Sequence, residues 1–165
     1  MGRWSTRLTT EQCKSISTFF LRRHGYFTGG VRSGGVSWSR GGETTGSIGF
    51  NVSMMRRGEE YIRFRYSRTD FEGNRATLDY KVELTPTACH FGGVRWWFIC
   101  PLVVNGRSCG RRVGVLYLGG GKYFGCRYCY GLTYESSRDS HKFDRLFGVM
   151  GLTARQGSRL LKTSK

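Results

Sequence analysis

Acidic residues are scarce in this sequence, with 11 Asp and Glu against 27 Lys and Arg, for a formal net charge of +16. There is no run of about 18 apolar residues, which excludes a transmembrane helix. The basic N-terminus lacks the apolar stretch of a secretory signal, so we expect a cytoplasmic protein with no membrane partner. Aromatic residues make up 15% of the chain and hydrophobic residues 38%. This content excludes a wholly disordered chain.

Several common catalytic motifs are also absent. The sequence has no Walker loop, no dinucleotide-binding glycine motif and no HExxH. Its three histidines, His24, His90 and His141, are far apart. Asp139, His141 and Asp144 suggest a nuclease cluster, but they do not all share one face of a helix. We therefore expect a protein without catalytic activity, with a metal-dependent nuclease as one alternative.

The positive charge is carried mainly by arginine, with 21 Arg and 6 Lys. Arginine presents a planar set of donors that suits phosphate and can stack on bases, which favours a nucleic-acid partner. A GC-rich genome would also raise arginine and glycine together, so composition alone leaves both explanations open. The distribution favours binding, because no acidic residue occurs from Leu84 to Tyr134.

The spacing of the cysteines indicates a metal site. The six cysteines are Cys13, Cys89, Cys100, Cys109, Cys126 and Cys129. Cys126 and Cys129 form a CxxC pair, 16 residues lie between Cys109 and Cys126, and Cys100 and Cys109 form a looser pair. Two such pairs can supply a tetrahedral structural zinc ion, so we predict these four as its ligands. Cys89 or His90 is an alternative ligand, and three disulfides are disfavoured without a secretory signal.

The motifs around these cysteines resemble a zinc ribbon. Cys100-Pro101 and Cys109-Gly110 are followed by Cys126-Arg-Tyr-Cys129-Tyr-Gly131, and zinc ribbons commonly place glycine just after the second cysteine of a knuckle. Eight residues, PLVVNGRS, separate Cys100 from Cys109 instead of two, and a loop can bulge there at low entropic cost. Residues 88–145 are also similar to a set of small bacterial and phage proteins. The resemblance implies a zinc-binding module and no particular activity.

Hydrophobic periodicity predicts an α+β fold with three parts. Residues 1–87 are expected to form an N-terminal helix and a small antiparallel sheet, residues 88–134 the zinc ribbon, and residues 135–165 a basic tail of short helices. The first helix is predicted over residues 9–23, with a capping box at Thr9 and Gln12 and with Cys13 in the core.

Strands are predicted from alternation of apolar and polar residues. They are Val36–Arg40, Ser47–Ser53, Tyr61–Arg68, Leu78–Thr85, Arg95–Cys100, Arg111–Leu118 and Lys122–Gly125. Tyr61–Arg68 and Leu78–Thr85 should form a hairpin. Arg63 and Arg65 could then pair with Asp79 and Glu83 across the strands, which would neutralise these charges.

Together these features predict a non-catalytic, zinc-stabilised protein that binds DNA or RNA through the ribbon and the C-terminal helices. The predicted contact residues are Arg95, Trp97, Arg107, Arg111, Arg112, Lys122, Arg127, Tyr128, Arg138, Lys142 and Arg145. The alternative is an adaptor or inhibitor, of the kind a phage encodes, that docks on a large nucleoprotein machine.

Overall fold

The computed structural model describes residues 7–69 and 72–139. The fold is mostly β, with 53% strand and 9% helix, so the predicted α+β class is wrong. The predicted tail helices fall mainly on residues 140–165, which lie outside the described residues. The part of the tail that is described holds one short helix, Glu135–Asp139.

Ten strands and two short helices make up the described part of the chain. The strands are β1 (Lys14–Ser17), β2 (Gly30–Arg40), β3 (Glu43–Met54), β4 (Tyr61–Thr69), β5 (Arg75–Ala88), β6 (Val94–Ile99), β7 (Val103–Val104), β8 (Arg107–Ser108), β9 (Arg112–Val113) and β10 (Val115–Leu118). The helices are α1 (Thr18–Arg23) and α2 (Glu135–Asp139). No helix of residues 7–69 and 72–139 is long and apolar enough to cross a membrane.

Six strands form one curled antiparallel sheet in the order β2-β3-β4-β5-β6-β9. Strand β5 pairs with β4 along Arg75–Glu83 and with β6 along Leu84–Ala88. It therefore runs through residues 87 and 88, where the sequence predicts a domain boundary. We call residues 100–134 the cysteine-rich segment. It is joined to the sheet by β6, which directly precedes it, and by β9, which lies within it.

The predicted hairpin between β4 and β5 is confirmed. Phe64 lies opposite Tyr80 on the inner face, while Arg65 lies opposite Asp79 on the outer face. Asp79 accepts hydrogen bonds from Arg63 Nη2 at 2.9 Å and from Arg65 Nη2 at 3.1 Å. Asp79 therefore pairs with both arginines, as the alternation predicts, and balances one of their two positive charges.

The core lies between the inner face of the sheet and the elements that cover it, which are β1, α1, β10 and the loop after β10. Its buried members are Ile16, Leu21, Ile48, Phe50, Val52, Ile62, Phe64, Tyr66, Leu78, Val82, Leu84, Phe98, Leu116 and Phe124. The outer face of β3 to β5 carries Ser, Thr, Asn, Arg, Asp and Lys side chains, as expected for a sheet with one face in water.

The helix predicted over residues 9–23 is wrong for most of its length. Residues Thr10–Gln12 form a single 3-10 turn that has the predicted capping box, and β1 follows at once. Ile16 of β1 pairs with Leu116 of β10, and this pairing buries Ile16 in a strand. The helix forms only after Ser17, whose side chain caps it by accepting a hydrogen bond from the Phe20 N–H.

The strand predicted over Arg111–Leu118 divides at Gly114. Strand β9 joins β6 in the large sheet, whereas β10 pairs with β1 in a separate two-stranded ribbon. The predicted return strand Lys122–Gly125 is reduced to one bridge, between Tyr117 and Gly125.

Candidate metal centre

Four cysteine thiols meet at the end of the sheet. All the Sγ atoms of Cys100, Cys109, Cys126 and Cys129 lie within 4.8 Å of one another. Cys100 and Cys129 are 3.9 Å apart, Cys109 and Cys126 are 3.7 Å apart, and Cys126 and Cys129 are 3.5 Å apart. Cys100 and Cys126 are buried. The predicted set of four ligands is therefore brought together, in an arrangement that could hold a metal ion.

The backbone around each cysteine pair directs N–H groups at sulfur. The Cys126 N–H donates to Cys100 Sγ at 3.3 Å, and the Cys129 N–H donates to Cys126 Sγ at 3.4 Å. The backbone N–H groups of Leu102 and Arg111 act to lower the pKa of Cys100 and Cys109, respectively. Such bonds orient metal-bound thiolates and stabilise their charge.

Glycines permit the turns that follow the two pairs. Gly110 directly after Cys109 and Gly131 after Cys129 both have φ of +58°, in the left-handed region that favours glycine. This agrees with the role that the sequence motif predicts for them.

The eight residues between Cys100 and Cys109 form a small hairpin. Val103 and Val104 of β7 pair with Ser108 and Arg107 of β8 around an Asn105-Gly106 turn, in which φ is 52° and 74°. The Cys109 N–H donates to Leu102 O at 2.8 Å, which closes the base of the hairpin and brings Cys109 back towards Cys100. The long spacing is therefore compatible with a normal pair of ligands.

The thiols differ in how readily they ionise. Burial raises the pKa of Cys100 to about 11 and also raises the pKa of Cys129. Burial acts in the same direction on Cys109, but hydrogen bonds from the Arg111 N–H and from neighbouring thiols outweigh it and lower its pKa. A bound cation would compensate for the desolvation of the thiolates, because it supplies positive charge at the centre of the cluster.

Side chains of the sheet fasten the loop that leads into the second cysteine pair. Tyr66 Oη donates to Lys122 O, and Arg68 donates to Gly121 O. Tyr80 Oη accepts the Phe124 N–H at 2.8 Å. The loop is thus attached to β4 and β5 immediately before Cys126. None of these sheet residues carries a sequence signal for such a role.

The other two cysteines and His90 lie outside the cluster. All six cysteines are free of disulfide bonds. Cys89 is exposed and, with His90, occupies the turn between β5 and β6. Cys13 directly follows the 3-10 turn and is half-buried, so the prediction that it lies in the core is confirmed only in part. The alternative ligands Cys89 and His90 therefore do not join the four thiols.

Comparison of the chain with protein-family models, with curated proteins and with solved structures finds no match. The candidate site is therefore interpreted from its own geometry.

The predicted nucleic-acid contacts fall into separate groups. Arg95, Trp97 and Arg112 share one face of β6 and β9 by register, and the Arg95 guanidinium lies over the Trp97 ring at 4.1 Å. Arg107 is exposed on β8, and Lys122 is exposed in the fastened loop.

A second group lies at the metal centre. Arg111 and Arg127 both contact the ring of Tyr128. Tyr134 also contacts Arg127 and was not among the predicted contacts, although its position beside the second knuckle was a usable signal. Arg138 belongs to α2, while Lys142 and Arg145 lie outside the described residues, as do His141 and Asp144 of the nuclease alternative.

Proposed function

We propose that this protein binds nucleic acid without catalysing a reaction, that it does so in the cytoplasm, and that a structural zinc ion holds its basic surface in shape. The observation that carries the proposal is a four-thiol centre surrounded by arginine and aromatic side chains with no acidic residue from Leu84 to Tyr134.

The geometry of the thiols fits a zinc ion. A tetrahedral zinc ion with Zn–S bonds of about 2.3 Å separates its sulfur ligands by about 3.8 Å. The contacts of Cys126 with Cys109 and Cys129, and of Cys100 with Cys129, span 3.5 to 3.9 Å. Four thiolates leave no open coordination position, so such an ion would stabilise the fold and would not activate water.

The arginines of the cysteine-rich segment are available for phosphate, because the ion pairs among the described residues lie elsewhere. The ion pairs Arg56–Glu59, Arg63–Asp79 and Arg65–Asp79 all lie outside this segment, which contains no acidic residue of its own up to Tyr134. Arg107, Arg111 and Arg112 are exposed. Their guanidinium groups can therefore neutralise phosphates and release the counterions that nucleic acid holds.

Binding can be tested by fluorescence anisotropy with labelled DNA and RNA over a range of salt concentrations. We expect affinity at low salt that falls steeply as salt rises. The double variant Arg107→Gln/Arg112→Gln should bind several-fold more weakly than the wild type. Arg32→Gln/Arg40→Gln, which removes the same charge from exposed positions on β2, is the control and should bind almost as the wild type does.

The proposal fails if no nucleic acid binds at low salt, or if binding does not depend on salt. It also fails if both double variants weaken binding equally, because the charge would then act without regard to its position.

Docking on a protein partner is the second candidate, and exposed apolar side chains favour it. Phe91, at the turn between β5 and β6, is 99% exposed, and Val103 on β7 is 65% exposed. An adaptor would retain its partner in a pull-down after nuclease treatment, and the double variant Phe91→Ser/Val103→Ser would lose it. Retention that disappears with nuclease would instead support direct binding of nucleic acid.

A further inference from the structure

Two arginines and two tyrosines beside the metal centre form a continuous set of cation–π contacts. The Arg111 guanidinium lies 4.7 Å from the centre of the Tyr128 ring. The Arg127 guanidinium lies 4.8 Å from the centre of the same ring and 4.7 Å from that of Tyr134. We call this set, Arg111, Arg127, Tyr128 and Tyr134, the arginine–tyrosine ladder.

The cysteine pairs position the ladder. Arg111 follows Cys109 by two residues, and its backbone carbonyl accepts the Cys100 N–H at 2.9 Å. Arg127 and Tyr128 are the two residues between Cys126 and Cys129. Their carbonyl groups accept hydrogen bonds from the N–H groups of Leu132 and Gly131, at 3.0 and 3.1 Å. These hydrogen bonds hold Arg127 and Tyr128 in a turn, from which Tyr128 is exposed to solvent, as are Arg111 and Tyr134, while Arg127 is half-buried.

The two rings of the ladder are unusually accessible. Tyr128 is 62% exposed and Tyr134 is 44% exposed, and neither belongs to the core. An exposed ring contributes little to folding, because its apolar surface is still in contact with water. The nearest acidic groups border one end of the ladder, where Glu11 accepts the backbone N–H of Glu135 at 3.1 Å. No acidic residue is near Arg111, Arg127 or Tyr128 in the sequence, because none occurs from Leu84 to Tyr134.

We propose that the arginine–tyrosine ladder binds unpaired bases, so that the nucleic acid bound by this protein is single-stranded. This inference rests on the proposed function and adds the class of its ligand. Unpaired bases expose faces that stack on tyrosine rings and on guanidinium planes, and the same arginines can contact the phosphates that join these bases. A duplex buries those faces in its own stack, so it can offer the ladder only phosphates.

The test compares three labelled probes with the zinc-loaded full chain at one salt concentration. The probes are a DNA strand of about twelve nucleotides, the RNA strand of the same sequence, and the DNA strand annealed to its complement. We expect the single strands to bind about 10-fold more tightly than the duplex. The DNA and RNA arms show which sugar the site accepts.

Variants of the rings assign this preference to the ladder. Tyr128→Leu should weaken single-strand binding about 10-fold, and Tyr128→Leu/Tyr134→Leu further, while duplex binding changes less than about 2-fold. Tyr128→Phe keeps the ring and should bind as the wild type does. Tyr61→Leu is the control, because Lys81 lies over that ring at 4.3 Å on the outer face of the sheet. Unchanged zinc content in each variant shows that the metal centre is intact.

The outcomes separate the two proposals. Salt-dependent binding that is equal for duplex and single strands, or that is unaffected by Tyr128→Leu, overturns the ladder inference and leaves the proposed function standing. Equal losses in Tyr128→Leu and Tyr61→Leu also overturn it. Absence of binding to all three probes overturns the proposed function and the ladder inference with it.

Discussion

Tyr80 shows how one side chain of the sheet determines the position of the metal centre. Its hydroxyl oxygen accepts the Phe124 N–H at 2.8 Å, two residues before Cys126, and its ring packs on Phe64 in the core. Burial raises the pKa of Tyr80 above its ordinary value, which further favours the neutral hydroxyl. A single phenol thus connects β5 to the second cysteine pair.

Replacing Tyr80 with phenylalanine should destabilise the protein while leaving its shape intact. The variant keeps the ring but leaves the Phe124 N–H without its acceptor, which costs about 1–3 kcal/mol for a buried donor. Urea unfolding of Tyr80→Phe should show this loss relative to the wild type. Tyr61→Phe, on the outer face of β4, is the control and should change stability by less than about 0.5 kcal/mol. Equal stability of the two variants would contradict this role for Tyr80.

At the scale of residues, the sequence predicted what depends on local spacing. Cys126 and Cys129 are three positions apart, so their common role was visible, and Gly131 was predicted to make the turn that it makes. The partners of Tyr66 and Tyr80 are 56 and 44 residues away. No local pattern reports a contact of that range, and the fastening of the loop therefore could not be predicted.

Among the elements, β4 and β5 carry the clearest agreement between sequence and structure. Their alternation predicted the hairpin, the wet face and Asp79 as a partner of Arg63 and Arg65, whereas the other predicted partner, Glu83, forms no ion pair with a described residue. The segment before α1 was predicted wrongly because a pairing with β10, distant in sequence, decides its conformation. Helical spacing of Cys13, Ile16 and Phe20 is a weak local preference, and tertiary contacts readily override such preferences.

The ion pairs of Asp79 between β4 and β5 should make the free energy of unfolding depend on pH. The guanidinium groups of Arg63 and Arg65 hold the pKa of Asp79 below its ordinary value of 3.8. The carboxylate therefore stabilises the fold above pH 3.8, and this contribution is lost as the pH falls through the lower pKa of the folded state. The difference in stability between the wild type and Asp79→Asn should be largest near neutral pH and should shrink below pH 3.8.

Urea unfolding at several pH values measures this difference. Glu43→Gln, which replaces an exposed carboxylate on β3, serves as the control and should give a smaller difference near neutral pH. A difference for Asp79→Asn that stays constant from neutral to acidic pH would show that its ion pairs do not stabilise the hairpin.

On the scale of the whole molecule, the metal centre is attached to a sheet that has its own core. Phe50, Val52 and Phe64 are buried on strands that carry no cysteine, whereas Cys100 directly follows β6 and is two residues after the buried Phe98. A zinc ribbon that stood alone would have little core and would depend on metal to fold. The shared sheet changes this expectation, because most of the buried apolar residues do not need the metal to meet.

Removal of the metal should therefore loosen one end of the molecule without unfolding the sheet. We expect a chelator, or Cys126→Ser, to lower Tm by about 10 °C and to reduce binding of nucleic acid, with most of the far-UV circular dichroism retained at 25 °C. Cys89→Ser is the matched control and should keep a full complement of zinc. Complete loss of the β signal would show that the sheet also depends on the metal, and full zinc content in Cys126→Ser would remove this cysteine from the ligand set.

The pairing of β1 with β10 has a consequence for synthesis of the chain. Lys14 pairs with Leu118, so the first strand meets its partner only after roughly 100 further residues have been made. At about 5–20 residues per second, the ribosome needs roughly 5–20 s to produce them. During that interval Ile16 has no strand to cover it, and closing so long a loop opposes early docking. The N-terminal strand is therefore among the last parts of the nascent protein to fold, and until then it is a natural binding site for chaperones.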